Sequence, residues 1–155
     1  MENEAIVLEK LKDRFPGLDT AQAVKSTRRI YLSVPEDIFM DVIAFAAKDL
    51  AFDHLLTITG LDTGECFEFI YHVSNPDGIL LNLKRKSKRE DPVVIPSVLP
   101  IFQGATFYER EVEGMLGVKV DGLPEGRQYP LPDNWPQGQY PLRKDWTPPK
   151  KGDQE

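Results

Sequence analysis

The hydrophobic positions of this chain recur with two periods, and the changes between the periods divide it into elements. Residues 3–15, "NEAIVLEKLKDRF", place their apolar side chains on one helical face, and a Pro-Gly pair then ends the helix. The following stretch, "STRRIYLSV", alternates apolar and polar residues, which is typical of a half-buried strand. After Pro35, the segment "EDIFMDVIAFAAKDL" returns to the helical period and predicts a second helix.

The hydrophobic pattern then predicts three further strands and a third helix. "HLLTITGL" and "CFEFIYHV" flank Asp62-Thr63-Gly64, a hairpin signal, and "ILLNLKRK" follows a second turn. The third helix begins near residues 101–105 and ends at Gly117, a suitable residue just past a helix end. The order predicts an α+β fold, a two-layer domain in which helices pack on a mixed or antiparallel sheet of about four to five strands.

The pattern weakens after Gly117, so we predict a core domain over 1–117 and an extended tail over 118–155. The tail carries seven of the thirteen prolines and both tryptophans, Trp135 and Trp146. A proline-rich segment of this kind forms no core of its own and is ordered only where it lies on a surface. We therefore expect the tail to dock on something, with the tryptophans as apolar anchors.

Composition narrows the classes of function. A chain of 155 residues fits one domain, and no apolar run reaches membrane-spanning length. We expect no signal peptide, and the single cysteine, Cys66, favours a reducing, cytoplasmic compartment. One cysteine and two histidines are too few to hold an iron–sulfur cluster, and the net charge of −6 argues against nucleic-acid binding.

The sharpest local feature is "FYEREVEGMLG", in which Glu109, Arg110, Glu111 and Glu113 crowd the third helix. One interpretation is a solvated face with a local Arg110–Glu113 pair. A second is that Arg127, Arg143 and Lys144 of the tail neutralise the acids and clamp the tail to the domain. A third is a general acid–base pair, although no nucleophile, phosphate loop or adjacent histidine accompanies the carboxylates.

Other candidate sites are weaker. We expect His54 and His72 to lie opposite each other across the hairpin, as a structural pair or, with Asp53, as metal ligands. "KRKSKR", residues 84–89, is a solvated strand end that discourages edge pairing, or a contact for an acidic partner, anionic lipid or nucleic acid. Cys66 is interpreted as a small buried residue or an unreactive edge thiol.

Taken together, "YEREVEGMLGV", "GLPEGRQYPLPDNW" and "PLRKDW" resemble the 30-kilodalton subunit family of respiratory complex I, the NADH:quinone oxidoreductase. That family includes the corresponding subunits of membrane-bound, energy-converting [NiFe] hydrogenases. The matching signature residues are Glu109, Arg110, Glu111, Gly117, Gly122, Pro124, Arg127, Leu131, Pro132, Trp135, Pro141, Leu142, Arg143, Lys144, Asp145 and Trp146.

Four positions depart from that signature. Gly114 and Leu116 stand where the family commonly has Asp and Phe, and Leu123 and Gln128 stand where it has His and a second Arg. A helix acid and a tail base are therefore missing, and one interpretation is that they form a pair in other members. The short chain and its "PLRKDW" ending favour the hydrogenase-type branch.

The resemblance implies a non-catalytic subunit of an electron-transport oxidoreductase, with no redox centre of its own. It implies docking beside the large catalytic subunit and the small iron–sulfur subunit, at the cytoplasmic face of the cell membrane. Iron–sulfur clusters and the [NiFe] centre or quinone and NAD sites belong to those partners. The alternatives from the residues alone are a free-standing metal-binding protein and a small nucleic-acid-binding protein.

Overall fold

The computed structural model describes residues 2–21 and 23–148, so the last part of the predicted tail, 149–155, lies outside the described residues. Within these residues, three α-helices and seven strands follow one another. They are α1 (Glu2–Arg14), β1 (Val24–Ser26), β2 (Arg29–Ser33), α2 (Phe39–Asp49), β3 (His54–Asp62), β4 (Cys66–Ser74), β5 (Leu80–Lys88), β6 (Val94–Pro96), α3 (Thr106–Leu116) and β7 (Lys119–Asp121). Short 3₁₀ turns at Glu36–Ile38 and Gln103–Ala105 lead into α2 and α3.

Five strands form a mixed sheet in the order β1-β2-β5-β4-β3. The β1–β2, β3–β4 and β4–β5 pairs are antiparallel, whereas β2 and β5 run parallel. The parallel pair is reached by a crossover through α2, β3 and β4. A second sheet of two parallel strands pairs β6 with β7. The predicted α+β fold with a mixed sheet is confirmed.

Helices α2 and α3 pack on the same face of the large sheet. Phe39 of α2 is fully buried, and its ring centroid lies 4.8 Å from that of Tyr71 on β4. Helix α3 crosses β3 at Gly60, where an added Cβ would lie 2.6 Å from Leu116 Cδ1. A side chain at position 60 would require the Leu116 side chain to move, and this close approach brings the charged stretch of α3 against the domain.

The long elements agree with the sequence periods, and the differences are short strands. The predicted strand near residues 26–34 is a small hairpin of β1 and β2 that turns at Arg28, whose φ is 59°. The hydrophobic pattern did not predict β1 or β6. Residues 119–121, predicted to belong to the tail, form β7 against β6, and the described residues after it form no helix or strand.

Across residues 2–21 and 23–148, no helix combines the length and the apolar character that a membrane crossing needs.

Candidate interaction site

Glu109 of the charged helix is buried, with 1% of its surface exposed. Its carboxylate accepts a hydrogen bond from the Ser97 hydroxyl at 2.8 Å and from the Val98 backbone N–H at 2.6 Å. Burial raises the pKa of Glu109 above its ordinary value, while these two donors act in the opposite direction. Glu109 therefore fastens the loop after β6 to α3 and is not part of a solvated face.

Glu113 and Arg110 hold two further segments. The Glu113 carboxylate accepts the Val120 backbone N–H at 2.7 Å, which ties β7 to α3. The Arg110 guanidinium donates to the carbonyl oxygens of Pro124 and Glu125, both at 3.4 Å. Glu111, the remaining acid of the motif, is half-buried. Three side chains within five positions of one helix thus contact the loop after β6, β7 and the start of the tail.

The expected neutralisation of these acids by tail cations is wrong. Arg127 donates to Asp133 at 2.6 Å, Arg143 donates to Asp145 at 3.3 Å, and Lys144 contacts the β3–β4 turn. The physical reason is that Glu109 and Glu113 already accept hydrogen bonds from backbone N–H groups and a hydroxyl. The expected Arg110–Glu113 pair is wrong too, because the guanidinium turns toward the tail carbonyls.

The tail is fastened a second time, at the β3–β4 turn. The side chain of Asp62 is fully buried there. It accepts the Gly64 N–H at 2.8 Å, the Lys144 N–H at 2.8 Å, and two contacts from Arg89 Nη1 at 2.6 and 2.7 Å. Burial favours the neutral acid, but the N–H donors and the Arg89 charge hold the pKa of Asp62 below its ordinary value. Asp62 is thus an ionised acceptor for the tail backbone.

Side chains of "PLRKDW" complete this second attachment. Asp145 lies 2.7 Å from Arg89 Nη2, and Lys144 Nζ donates to the Thr63 carbonyl at 3.1 Å. The guanidinium groups of Arg89 and Arg143 lie 5.4 and 5.7 Å from the ring centroid of Phe67, within the range of cation–π attraction. We call this set the tail anchor; its members are Asp62, Phe67 and Arg89 of the domain and Arg143, Lys144 and Asp145 of the tail.

The two tryptophans contact each other, and both are half-buried. Their ring centroids are 6.2 Å apart. Trp135 Nε1 donates to the Gln139 carbonyl at 2.8 Å, and Trp146 Nε1 donates to the Gln139 side-chain oxygen at 2.7 Å. They therefore close a loop of the tail on itself, next to the tail anchor.

Two glycines of α3 let the tail approach closely. Gly117 ends the helix with φ of 70°, as predicted, and an added Cβ would overlap the ring of Tyr140. At Gly114 an added Cβ would lie 3.0 Å from the Tyr129 carbonyl and 3.9 Å from Gln128 Cγ. Positions 114 and 128 are therefore neighbours. Both depart from the family signature, and their proximity would allow the Asp and Arg that other members commonly carry there to form an ion pair.

The histidines do not face each other. His54 pairs with Ser74, and His72 pairs with Thr57, because Asp62 pairs with Phe67, which centres the hairpin between Gly64 and Glu65 and not at Thr63. The ring of His72 is instead hydrogen-bonded to Thr59 Oγ1 at 2.9 Å and to Asn82 Oδ1 at 2.6 Å.

The side chains that could ligate a metal are dispersed. Within residues 2–21 and 23–148, no cluster of three or more His, Cys, Asp or Glu side chains is arranged to hold a metal ion. The lone thiol, Cys66, is half-buried, with its Sγ 3.4 Å from Thr63 Oγ1.

The basic run 84–89 begins where the pairing of β5 with β2 ends. β5 is the middle strand of the sheet, but from Arg85 to Lys88 it pairs, among the described strands, with β4 alone. The run divides between the two faces. Arg85 is 1% exposed, pairs with Glu36 and lies 5.5 Å from the Phe39 ring centroid. Lys84 and Lys86 point to the opposite face, at 3.6 and 3.2 Å from Glu68.

The fold and the site together define a class: an α+β domain whose charged and aromatic motifs fasten an irregular tail along its own surface. Comparison with known proteins identifies the family. The sequence profile described as "Respiratory-chain NADH dehydrogenase, 30 Kd subunit" matches residues 32–152, so the chain belongs to that family.

Two relatives match nearly end to end. A subunit of the F(420)H(2) dehydrogenase of Methanosarcina mazei is 32% identical over 143 residues, which cover 90% of this chain and 89% of the relative. The beta subunit of the membrane-bound hydrogenase of Pyrococcus furiosus is 28% identical over 153 residues, covering 94% and 87%. A chain in the structure of the membrane-bound sulfane sulfur reductase, an archaeal respiratory membrane complex, superposes with a TM-score of 0.83 at 29% identity, covering 95% and 86%.

Proposed function

We propose that this chain is a non-catalytic structural subunit of a membrane-bound, complex I-like oxidoreductase. The observation that carries the proposal is the match to the 30-kilodalton family over residues 32–152, joined by near-complete alignment with subunits of a dehydrogenase and a membrane-bound hydrogenase. The fold agreement with a chain of a respiratory membrane complex supports the same assignment.

In this proposal, the charged helix and the tail form the surface that contacts the partner subunits. In this proposal a core over 1–117 presents a tail over 118–155 to the partners. The tail anchor and Arg110 hold it from beneath, leaving exposed apolar side chains: 59% of Phe107, 51% of Leu142 and 43% of Tyr129 are accessible. The residues proposed to form this interface or to support it from within the domain are Glu109, Arg110, Glu111, Gly117, Arg127, Trp135, Arg143, Lys144, Asp145 and Trp146.

The partners in this proposal are the large catalytic subunit and the small iron–sulfur subunit. Those subunits carry the iron–sulfur clusters and the [NiFe] centre or quinone and NAD sites, and this chain carries no cofactor. It binds the membrane only through them, at the cytoplasmic face.

The test is affinity purification of a chromosomally tagged chain from detergent-solubilised native membranes, followed by mass spectrometry. We expect stoichiometric recovery of a large catalytic and a small iron–sulfur subunit. The chain produced alone should show no visible absorbance from flavin or iron–sulfur. Recovery of the tagged chain without other subunits from both membrane and soluble fractions would refute the proposal.

A further inference from the structure

One face of the large sheet is left open by the helices. Helices α2 and α3 pack on the face that carries Phe69 and Tyr71, and the alternate residues of β2, β4 and β5 point the other way. A groove of about 340 Å³ crosses this open face, lined by Tyr31, Ile70 and Lys84 among others and bordered by the loop before β1. Tyr31 is 45% exposed and Ile70 is half-buried, so an aromatic ring and part of an aliphatic side chain are accessible there.

The open face is basic although the chain is acidic. Lys84, Lys86 and Lys88 stand on alternate residues of β5, so their Cα atoms are spaced by about 7 Å. A single carboxylate, Glu68, contacts both Lys84 and Lys86, which leaves the row with excess positive charge. Arg29 extends the positive charge on β2, whereas the whole chain carries a net charge of −6.

We propose that this open face docks an acidic polypeptide surface of a partner subunit, with the lysine row facing carboxylates and the groove receiving an apolar side chain. Complementary charge with an apolar centre is the usual arrangement of a specific protein interface. The proposal rests on the proposed function, because the partner is taken to be another subunit of the complex. It adds a second contact surface, separate from the tail anchor.

The first test uses the purified native complex. A carbodiimide that joins amines directly to carboxylates should link Lys84, Lys86 or Lys88 to Asp or Glu residues of one neighbouring subunit. Acetylation of these lysines should be at least tenfold slower in the complex than in the isolated chain. Links to a second copy of this chain, or acetylation at equal rates in both states, would overturn the proposal.

A charge-reversal pair supplies the second test. The triple variant Lys84→Glu, Lys86→Glu and Lys88→Glu should recover at least tenfold less partner on purification. The matched triple Lys10→Glu, Lys12→Glu and Lys48→Glu, at exposed helix positions, should stay within twofold of wild type. Circular dichroism and urea midpoints establish that both variants fold. Equal recovery by the two variants would contradict the proposal.

A third experiment tests whether the lysine row binds anionic lipid and not an acidic protein surface. Isolated chain is mixed with phosphatidylglycerol vesicles, and lysine-dependent binding without carbodiimide links to protein would replace the proposal with a membrane contact. In the same experiments, recovery of partner subunits by the wild-type chain tests the proposed function separately from the role of the lysine row.

Discussion

At the residue scale, three carboxylates attach peripheral segments to the domain by accepting hydrogen bonds from their backbone N–H groups. Glu109, Glu113 and Asp62 each receive at least one such donor from a distant segment. A hydrogen bond to an ionised group contributes about 1.5–3 kcal/mol, more than a bond between neutral groups. These three acids therefore decide how the loop after β6, β7 and the tail lie on the domain.

Asp62 gives the clearest residue-level prediction. Replacing it with Asn weakens the acceptor for the Lys144 N–H and removes the charge opposite Arg89, which keeps Asp145 as a partner, so Asp62→Asn should lower the free energy of unfolding by about 2 kcal/mol. The control is Asp133→Asn in the exposed Arg127–Asp133 pair, which should cost less than about 1 kcal/mol. Urea denaturation measures both, and equal losses would contradict the central role of Asp62.

The same variant carries a pH dependence. Because the folded pKa of Asp62 lies below its ordinary value, its contribution is fully present above pH of about 4 and is lost as pH falls through the folded pKa. The stability difference between wild type and Asp62→Asn should be constant from about pH 5 to 8 and shrink below about pH 4. A difference that grows on acidification would be inconsistent with a lowered pKa.

The contribution of Glu109 to stability should change with pH in the direction opposite to that of Asp62. Burial raises its folded pKa, so ionisation costs folding free energy as pH rises from the ordinary glutamate value of about 4.3 through the folded pKa. In Glu109→Gln the side-chain oxygen still accepts the Val98 N–H, and the amide donates to Ser97. The variant should gain stability relative to wild type between about pH 4 and 7. Glu111→Gln, on the same helix, is the control and should change by less than about 0.5 kcal/mol.

Arg110 is expected to contribute little to the free energy of unfolding, although three glutamates lie close to it in the sequence. It is half-buried, and its two contacts to tail carbonyls are long, so Arg110→Ala should cost about 1 kcal/mol by urea denaturation. An arginine buried beneath the tail and paired with the helix acids would instead cost about 3–5 kcal/mol. A loss of that size would restore the ion-pair interpretation.

The sequence identified the charged cluster on α3 but not its partners. The sequence shows that charged residues crowd one helix, whereas the donors to Glu109 and Glu113 are two backbone N–H groups and the Ser97 hydroxyl, which belong to other segments. Asp62 was recognised only as a turn residue for the same reason, since its contacts with Arg89 and Lys144 depend on tertiary structure. The paired tail cations were assigned to the wrong acids.

At the element scale, long segments were predictable because several periods of hydrophobic pattern fit within them. Helix α2 and strands β3, β4 and β5 each span nine or more residues. The missed strands β1 and β6 have three residues each, which is too short to display an alternation. The prediction that His54 and His72 face each other was wrong because the turn signal Asp62-Thr63-Gly64 does not fix the register, and the hairpin is centred between Gly64 and Glu65.

Gly117 tests the junction between α3 and the tail. An alanine there must adopt φ near 70° and overlap the Tyr140 ring, so Gly117→Ala should destabilise the protein by about 2 kcal/mol and displace the tail. Gly104→Ala is the matched control, because no atom lies within 4 Å of its added Cβ, and it should change stability by less than about 0.5 kcal/mol. Urea denaturation and proteolysis of the tail report the two effects. A neutral Gly117→Ala would show that Tyr140 does not pack against the helix end.

At the scale of the whole molecule, contacts along the described part of the tail attach it to the domain. Arg110 contacts residues 124–125, and the tail anchor holds residues 143–145. Between them the tryptophan contact closes a loop, and Phe107 packs edge-on against Tyr129 with ring centroids 5.4 Å apart. Under the proposed function, the domain holds the tail in place for contact with partner subunits.

The most direct measurement of that claim is native gel electrophoresis of membranes from cells that lack this chain. The deletion strain is complemented with the full chain, with residues 1–121, or with the Asp62→Asn variant. We predict that the assembled oxidoreductase band and its activity disappear in the deletion, return with the full chain, and stay absent or strongly reduced with residues 1–121. A complex of unchanged size and activity in the deletion strain would contradict the account.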